Sequence, residues 1–277
     1  MHLTTAKEII SYMESLQNEN QRQVLMRFFK TGPGEYGEGD AFLGLKVPQT
    51  REVVKVAKDT PLEEVPELLM SHWHEVRLCG LLLLVAQFER LGTKRLAKDA
   101  KAIEKRDEIL TLYLKYAEQA NNWDLVDLSA PKILGSWLLL PTHLGDGTDN
   151  YKRQVLDELA MSDNLWRKRM SMVCTWKTSQ QGDPSWCLRY AEMHLNHPHD
   201  LMHKAVGWML REVGKRVSMD LLREFLRQHA HEMPRTALRY AIEKMSEPER
   251  KQWLDQCRGY PCYSTLQPLQ KAFGEMP

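Results

Sequence analysis

Residues 122–134 read NWDLVDLSAPKIL, and the recurrence of that kind of stretch decides the fold. A polar opening turn leads into an apolar helix. Four other stretches share the plan: HEVRLCGLLLL from His74, NLWRKRMSMVC from Asn164, DLMHKAVGWMLRE from Asp200 and EMPRTALRYAIEK from Glu232. Successive starts lie about 48, 42, 36 and 32 residues apart, which brackets the roughly 40–47-residue period of HEAT-like helical repeats. Helical periodicity fills the sequence between them. Leu62, Val65, Leu68 and Leu69 mark one amphipathic stripe, and Leu221, Leu222, Phe225 and Leu226 mark another. No run alternates as a strand would. Turn-forming clusters at 32–39, 145–150, 180–184 and 197–200 separate the stripes. The expected fold class is all-α, a HEAT-like helical-repeat solenoid, with a non-repeating helical bundle as the alternative. It is expected to form a single domain over 1–277: N-terminal helices and a Gly-rich loop to 50, repeats over 51–250, and a tail over 251–277.

The composition narrows the function classes. With 277 residues and 43% hydrophobic side chains the chain can bury a sizeable core. A net charge of +1 is not a nucleic-acid signature by itself. A DNA-binding reading therefore requires positive charge gathered on one face and acids elsewhere. No apolar run approaches the roughly 18 residues that suggest a membrane span. Residues 1–8 lack a basic region followed by an apolar one, so no signal peptide is expected. The cysteines (Cys79, Cys174, Cys187, Cys257 and Cys262) form an odd set without CxxC spacing. Reduced thiols in a cytoplasmic protein are the simplest reading.

Four residues stand out as a candidate site. Trp123 and Asp127, at i and i+4, share one helix face. Asp127 has no Lys or Arg at i±3 or i±4, and Pro131 cannot donate an amide to the carbonyl of residue 127, so the helix should kink or end there. A carboxylate without a local partner beside a helix break is a candidate for chemistry; a solvated or capping Asp is the bland alternative. In WRKR, Arg167, Lys168 and Arg169 lie about 100° apart around the helix, so one of them must face any groove present. Trp208, which in AVGWML would ordinarily be core, has Lys204 at i−4 and Arg211 at i+3 on its stripe, as a polar groove would. Gly207 beside it permits close approach of a phosphate backbone, or simply of another helix. Arg235 and Arg239 could extend the same basic edge.

Other motifs carry less. TGPGEYGEGDAFLG (31–44) lacks the Gly-Lys-Ser/Thr ending of a phosphate loop, and Glu35, Glu38 and Asp40 would repel phosphate. A surface loop with Tyr36 packed down is expected. His194, His197, His199 and His203 cluster, as do His72 and His74, but neither group has HExxH spacing, and no metal site is expected. Cys257 and Cys262 flank a Gly-Tyr-Pro turn with no matching His and read as inert. No nucleophile elbow or dinucleotide fingerprint occurs.

NNWDLVDLSAP, SDNLWRKR and KAVGWMLRE resemble the corresponding segments of the DNA alkylation repair glycosylases of the AlkD type, and FLGLKVPQTR (42–51) and HEVRLCGLLLL match as well. The resemblance spans roughly residues 5 to 250. It implies a C-shaped stack of HEAT-like helical pairs whose concave face grips duplex DNA. By position it makes Trp123, Asp127 and Trp208 catalytic-site residues and Arg169 a DNA contact beside them; Lys204, Arg211 and Arg235 are DNA-binding candidates from stripe geometry. The implied reaction is hydrolysis of the N-glycosidic bond of purines made cationic by alkylation at N3 or N7, at the sugar and with the base left stacked. Duplex DNA carrying such purines is the expected partner, with no cofactor, metal or obligatory protein partner. The two indoles, the carboxylate and the guanidinium are expected to converge in one positively lined hollow. The rival readings are a non-catalytic binder of damaged or branched DNA on the same fold, and a HEAT-type protein scaffold, for which near-zero net charge would be natural.

Overall fold

The computed structural model describes residues 2–256, which fold as helices joined by turns; among them the only β pairing is an isolated parallel bridge between Ala41 and Trp73. The chain divides into two compact units, the first ending at Gln181 and the second beginning at Gly182. The first unit holds α1 (Ala6–Ser15), α2 (Glu19–Phe28), α3 (Val47–Val56), α4 (Val65–Leu69), α5 (His74–Leu91), α6 (Ala100–Lys115), α7 (Trp123–Ser129), α8 (Leu134–Leu139), α9 (Asp149–Met161), α10 (Leu165–Val173) and α11 (Trp176–Gln180). The second holds α12 (Ser185–His194), α13 (Asp200–Arg216), α14 (Met219–His229), α15 (Arg235–Ala241) and α16 (Glu247–Gln256).

Helix α5 is the axis of the first unit. It is apolar almost all round, and α3, α4, α6 and α7 pack against it. Its buried leucines (Leu78, Leu81, Leu82, Leu83 and Leu84) each contribute roughly 1.5–3 kcal/mol by leaving water. The polar residues at its start work as fasteners. Both Glu75 carboxylate oxygens accept backbone amides from the incoming strap, Leu43 N at 2.9 Å, Gly44 N at 2.8 Å and Leu45 N at 3.0 Å. Gly44 sits at φ +88°, and a Cβ there would lie 2.1 Å from the Asn18 carbonyl oxygen, so only glycine lets this strap pass α2. The strap therefore delivers Phe42 and Leu43 into the core beside α5.

In the second unit α13 is central, with α12, α14 and α15 packed on it. Gly207 serves this packing: a Cβ there would meet the Ala237 carbonyl oxygen of α15 at 2.3 Å. Of the two uses open to that glycine, close approach of a helix is the one realised. On α14, Leu222, Phe225 and Leu226 face inward, while Leu221 is partly exposed. Among the described residues no helix is long and apolar enough to cross a membrane. Cys79, Cys174 and Cys187 are buried in the cores; Cys257 and Cys262, with most of the expected C-terminal tail, lie outside the described residues.

Candidate functional site

The short helix α7 carries the first two candidate residues. Asn122 caps its start, its side chain accepting the Trp123 amide at 2.8 Å, and the helix ends at Ser129, two residues before Pro131. Trp123 is half-buried and lies edge-on to Phe28 and tilted against Phe29, with ring centroids 5.9 and 5.5 Å away. One turn on, Asp127 is held by the third candidate. Arg169, from α10, donates Nε to Oδ1 at 2.9 Å and Nη2 to Oδ2 at 2.8 Å, a two-pronged grip. The expectation of a carboxylate without a partner holds only along its own helix, because the partner comes from 42 residues further on.

That pairing also settles which member of WRKR turns inward. Asn164 caps α10 by accepting the amides of Trp166 and Arg167. Arg169 is then buried, while Arg167 stays half-exposed and approaches Glu118 at 3.6 Å. The Asp127 side chain keeps 15% of its surface and that of Arg169 only 5%. Burial pushes the Asp127 carboxyl above its usual range; the Arg169 charge and hydrogen bonds pull it back, and the neighbouring Asp124 adds to the rise. The group is thus a fixed carboxylate that accepts a proton more readily than an ordinary aspartate.

Behind it runs a buried charge network that the sequence reading missed. His74 bonds Asp40 through Nδ1 at 2.8 Å and Asp124 through Nε2 at 3.0 Å. Arg77 donates to the second oxygen of Asp40 and to the carbonyls of Ser71 and His72. Burial opposes the imidazolium, but the flanking carboxylates of Asp124 and Asp40 outweigh it and push His74 up to about 9. Burial likewise works against the Asp40 carboxylate, yet His74 and Arg77 hold it below the usual range. The Phe42 ring stacks on the imidazole at 4.5 Å, with Phe29 at 5.0 Å. Asp40 is a correction to the loop reading. Glu35 and Glu38 are exposed as expected, and Tyr36 packs edge-on to Trp166 at 6.3 Å, but Asp40 is buried. The available signal was HEVR, three ionisable residues opening an otherwise apolar helix.

Trp208 lies on α13 of the second unit and is half-buried. The cations on its stripe are matched by acids: Lys204 pairs with Asp200 at 2.7 Å and Arg211 with Glu243. Arg235 donates to the Leu254 carbonyl at 2.7 Å and so fastens α15 to α16. The structure therefore brings Trp123, Asp127 and Arg169 together within one unit, and places Trp208, Lys204, Arg211 and Arg235 in the other. The histidines near 197 serve the chain itself. His199 caps α13, and the His203 ring meets the His197 carbonyl. Among the described residues no group of three or more His, Cys, Asp or Glu is set to hold a metal.

The profile of a family described as DNA alkylation repair enzyme matches residues 9–245. No curated protein matches the chain. Among solved structures, one described as a predicted DNA alkylation repair enzyme from Enterococcus faecalis superposes with a TM-score of 0.60. The two share 15% identity over 83% of this chain and 97% of that one, a likeness of fold.

Proposed function

The chain belongs to the DNA alkylation repair enzyme family, and from that premise we propose that it is a DNA glycosylase releasing cationic N3- or N7-alkylated purines from duplex DNA. One observation carries the reading: Asp127 stands beside Trp123, is oriented through both oxygens by Arg169, and keeps 15% of its side-chain surface open to solvent. Alkylation has already made the purine a good leaving group. The C1′–N bond breaks with its electron pair going to the base, which leaves as a neutral molecule, and positive charge develops on the sugar. Asp127 stabilises that charge and orients the attacking water, whose oxygen bonds to C1′ while its proton passes to the carboxylate or to solvent. Arg169 is the positioning residue, since its planar fork fixes the carboxylate plane. The indole of Trp123 offers a π face to the cationic nucleotide, worth about 0.5–2 kcal/mol depending on desolvation. Trp208, in the second unit, is proposed as a further π face toward the DNA. Lys204 and Arg211 are proposed to exchange their acidic partners for phosphates.

The test is release of free base from a duplex carrying N7-methylguanine or N3-methyladenine. Asp127→Asn should lower the rate by about a hundredfold or more while leaving duplex affinity nearly unchanged. It should also lower the thermal melt, because it leaves the buried Arg169 charge without its counter-ion. Equal activity in the variant would end the catalytic role of Asp127. Binding without release by the unmodified protein would make it a damage binder instead.

A further inference from the structure

Helix α7 carries both Trp123 and Asp127 and is only seven residues long. A helix of about two turns has no stability of its own, so its neighbours decide where it sits. Side chains tie it to three of them. Arg169 of α10 grips Asp127, Tyr113 of α6 meets Ser129 at 2.9 Å, and His74 of α5 meets Asp124 at 3.0 Å. The first tie holds the carboxylate of the proposed site, and the second holds the far end of the helix. The third lies between Trp123 and Asp127 in the chain.

That third tie depends on a proton. His74 faces Asp40 through Nδ1 at 2.8 Å and Asp124 through Nε2. An ionised carboxylate only accepts, so both ring nitrogens must donate, which the imidazolium alone can do. Arg77 holds the other oxygen of Asp40. Asp124 is buried, and its Oδ1 has no hydrogen-bond partner among the described residues, so its hold on α5 runs through His74. A ring that loses one proton turns a lone pair toward one of its two acids. The strap, α5 and α7 then lose one of the bonds that join them.

We propose that His74, protonated on both nitrogens, is a positioning residue of the site, setting through Asp124 where α7 presents Trp123 and Asp127. Its consequence for rate rests on the glycosylase reading; the placement itself can be read in the free protein. Burial opposes the charge on His74, but Asp124 and Asp40 outweigh it and push the group up to about 9, within reach of a titration. Other charged or titratable groups face the same space. Lys46 and Glu75 line the cavity of about 350 Å³ that Trp123, Asp124 and Asp127 share with Phe28 and Phe29. Glu75 is taken up by the strap amides, and Arg169 stays on Asp127. Burial pushes the Tyr113 hydroxyl far above its ordinary range. Lys46 is the group to control for.

The experiment follows α7 without turnover. The full chain is labelled with 5-fluorotryptophan, and the Trp123 fluorine signal is assigned with Trp123→Phe. In the unmodified protein that signal should move with a midpoint near pH 9. It should stay still there in His74→Gln, whose amide donates to only one of the two acids. Lys46→Gln should leave the midpoint in place. Asp124→Asn guards against misfolding of His74→Gln: its amide can accept from the protonated ring or donate to the neutral one, so the signal should again ignore pH. In single-turnover base release near neutral pH, His74→Gln should be about tenfold to a hundredfold slower with duplex affinity unchanged. The unmodified rate should fall through the same alkaline midpoint.

A Trp123 signal that ignores pH in the unmodified protein, or one that moves alike in His74→Gln and Asp124→Asn, would overturn the proposal. So would full release by a well-folded His74→Gln, or a loss of affinity that matches its loss of rate. If the unmodified protein releases no base, the glycosylase reading falls and the fluorine signal alone decides the placement.

Discussion

Trp123 and Trp208 are both half-buried indoles with ion pairs nearby, but the ion pairs belong to different electrostatic regimes. Beside Trp123 the Arg169–Asp127 pair is largely removed from water. On the Trp208 stripe the Lys204–Asp200 pair keeps 40% and 53% of its side-chain surface, while Arg211 keeps 18% and its partner Glu243 45%. The same two unit charges interact several times more strongly in a partly dry protein than in water. Exposed pairs are worth about 0–1 kcal/mol and are readily traded for another anion. A buried pair is costly to break, because the remaining charge is stranded. The first region is thus built as fixed chemistry and the second as exchangeable charge. Sequence spacing, which treats all four residues alike, contains no trace of that distinction.

The comparison is tested most severely by cutting one partner from each region. Arg169→Ala leaves the Asp127 carboxylate partly buried without its cation and should cost about 3–5 kcal/mol of unfolding free energy. Lys204→Ala, which cuts a pair exposed on both sides, should cost less than about 1 kcal/mol. Urea denaturation of the two variants against the unmodified chain measures both. Similar costs would mean that burial does not separate the regions after all.

A second separation is in pH. Folding raises the His74 pKa from 6.5 to about 9, so the folded chain holds a proton that the unfolded chain has released. The stabilisation is complete below pH 6.5 and is lost as pH climbs through about 9, on the order of 3 kcal/mol in all. The acids of the second region act oppositely. For Asp200, burial raises the pKa but Lys204 lowers it further; for Glu243, the Lys244 hydrogen bond leads the lowering. Their contribution is present above the ordinary carboxylate range and disappears on acidification. Thermal melts between pH 6.5 and 9 should therefore fall more steeply for the unmodified protein than for His74→Gln. Parallel slopes would show that the Asp40–His74–Asp124 network does not hold the proton assigned to it.

What could be read in advance follows from the range of the forces involved. Helix starts are local, and the recurring segments located them. His74 and Asp200 open α5 and α13, and Asn122 and Asn164 cap α7 and α10 with their own side chains. The last segment is displaced by three residues, with Pro234 standing just before α15 at Arg235. Trp123 and Asp127 were legible as a pair because four residues on a helix is a fixed geometry. Spacing alone left open which of Arg167, Lys168 and Arg169 faces the site; the family resemblance named Arg169, but as a DNA contact, and its grip on Asp127 comes from 42 residues away. Asp40 was read as a loop acid for the same reason: only the fold sets His74 and Arg77 around it. Phe28 and Phe29 look like the frayed end of a helix, and nothing local says that they wall the cavity beside Trp123.

The smallest expected effect concerns the exchangeable charges, and it is also the one that separates contact from support. If Lys204 and Arg211 give up Asp200 and Glu243 for phosphates, each alanine variant should weaken duplex binding modestly at low salt. Each should also reduce the slope of log affinity against log salt by about 0.9, one counterion's worth. Arg235 is a different case although it lies in the same unit. Its guanidinium is spent on the Leu254 carbonyl, so Arg235→Ala should loosen α16 against α15, visible as faster amide exchange there, and leave the salt slope unchanged. A slope change for Arg235 and none for Lys204 or Arg211 would reverse the assignment. It would mean that an acid already paired on the surface holds its cation more firmly than a backbone carbonyl does, contrary to the weakness of solvated ion pairs on which the contrast between the two tryptophan regions depends.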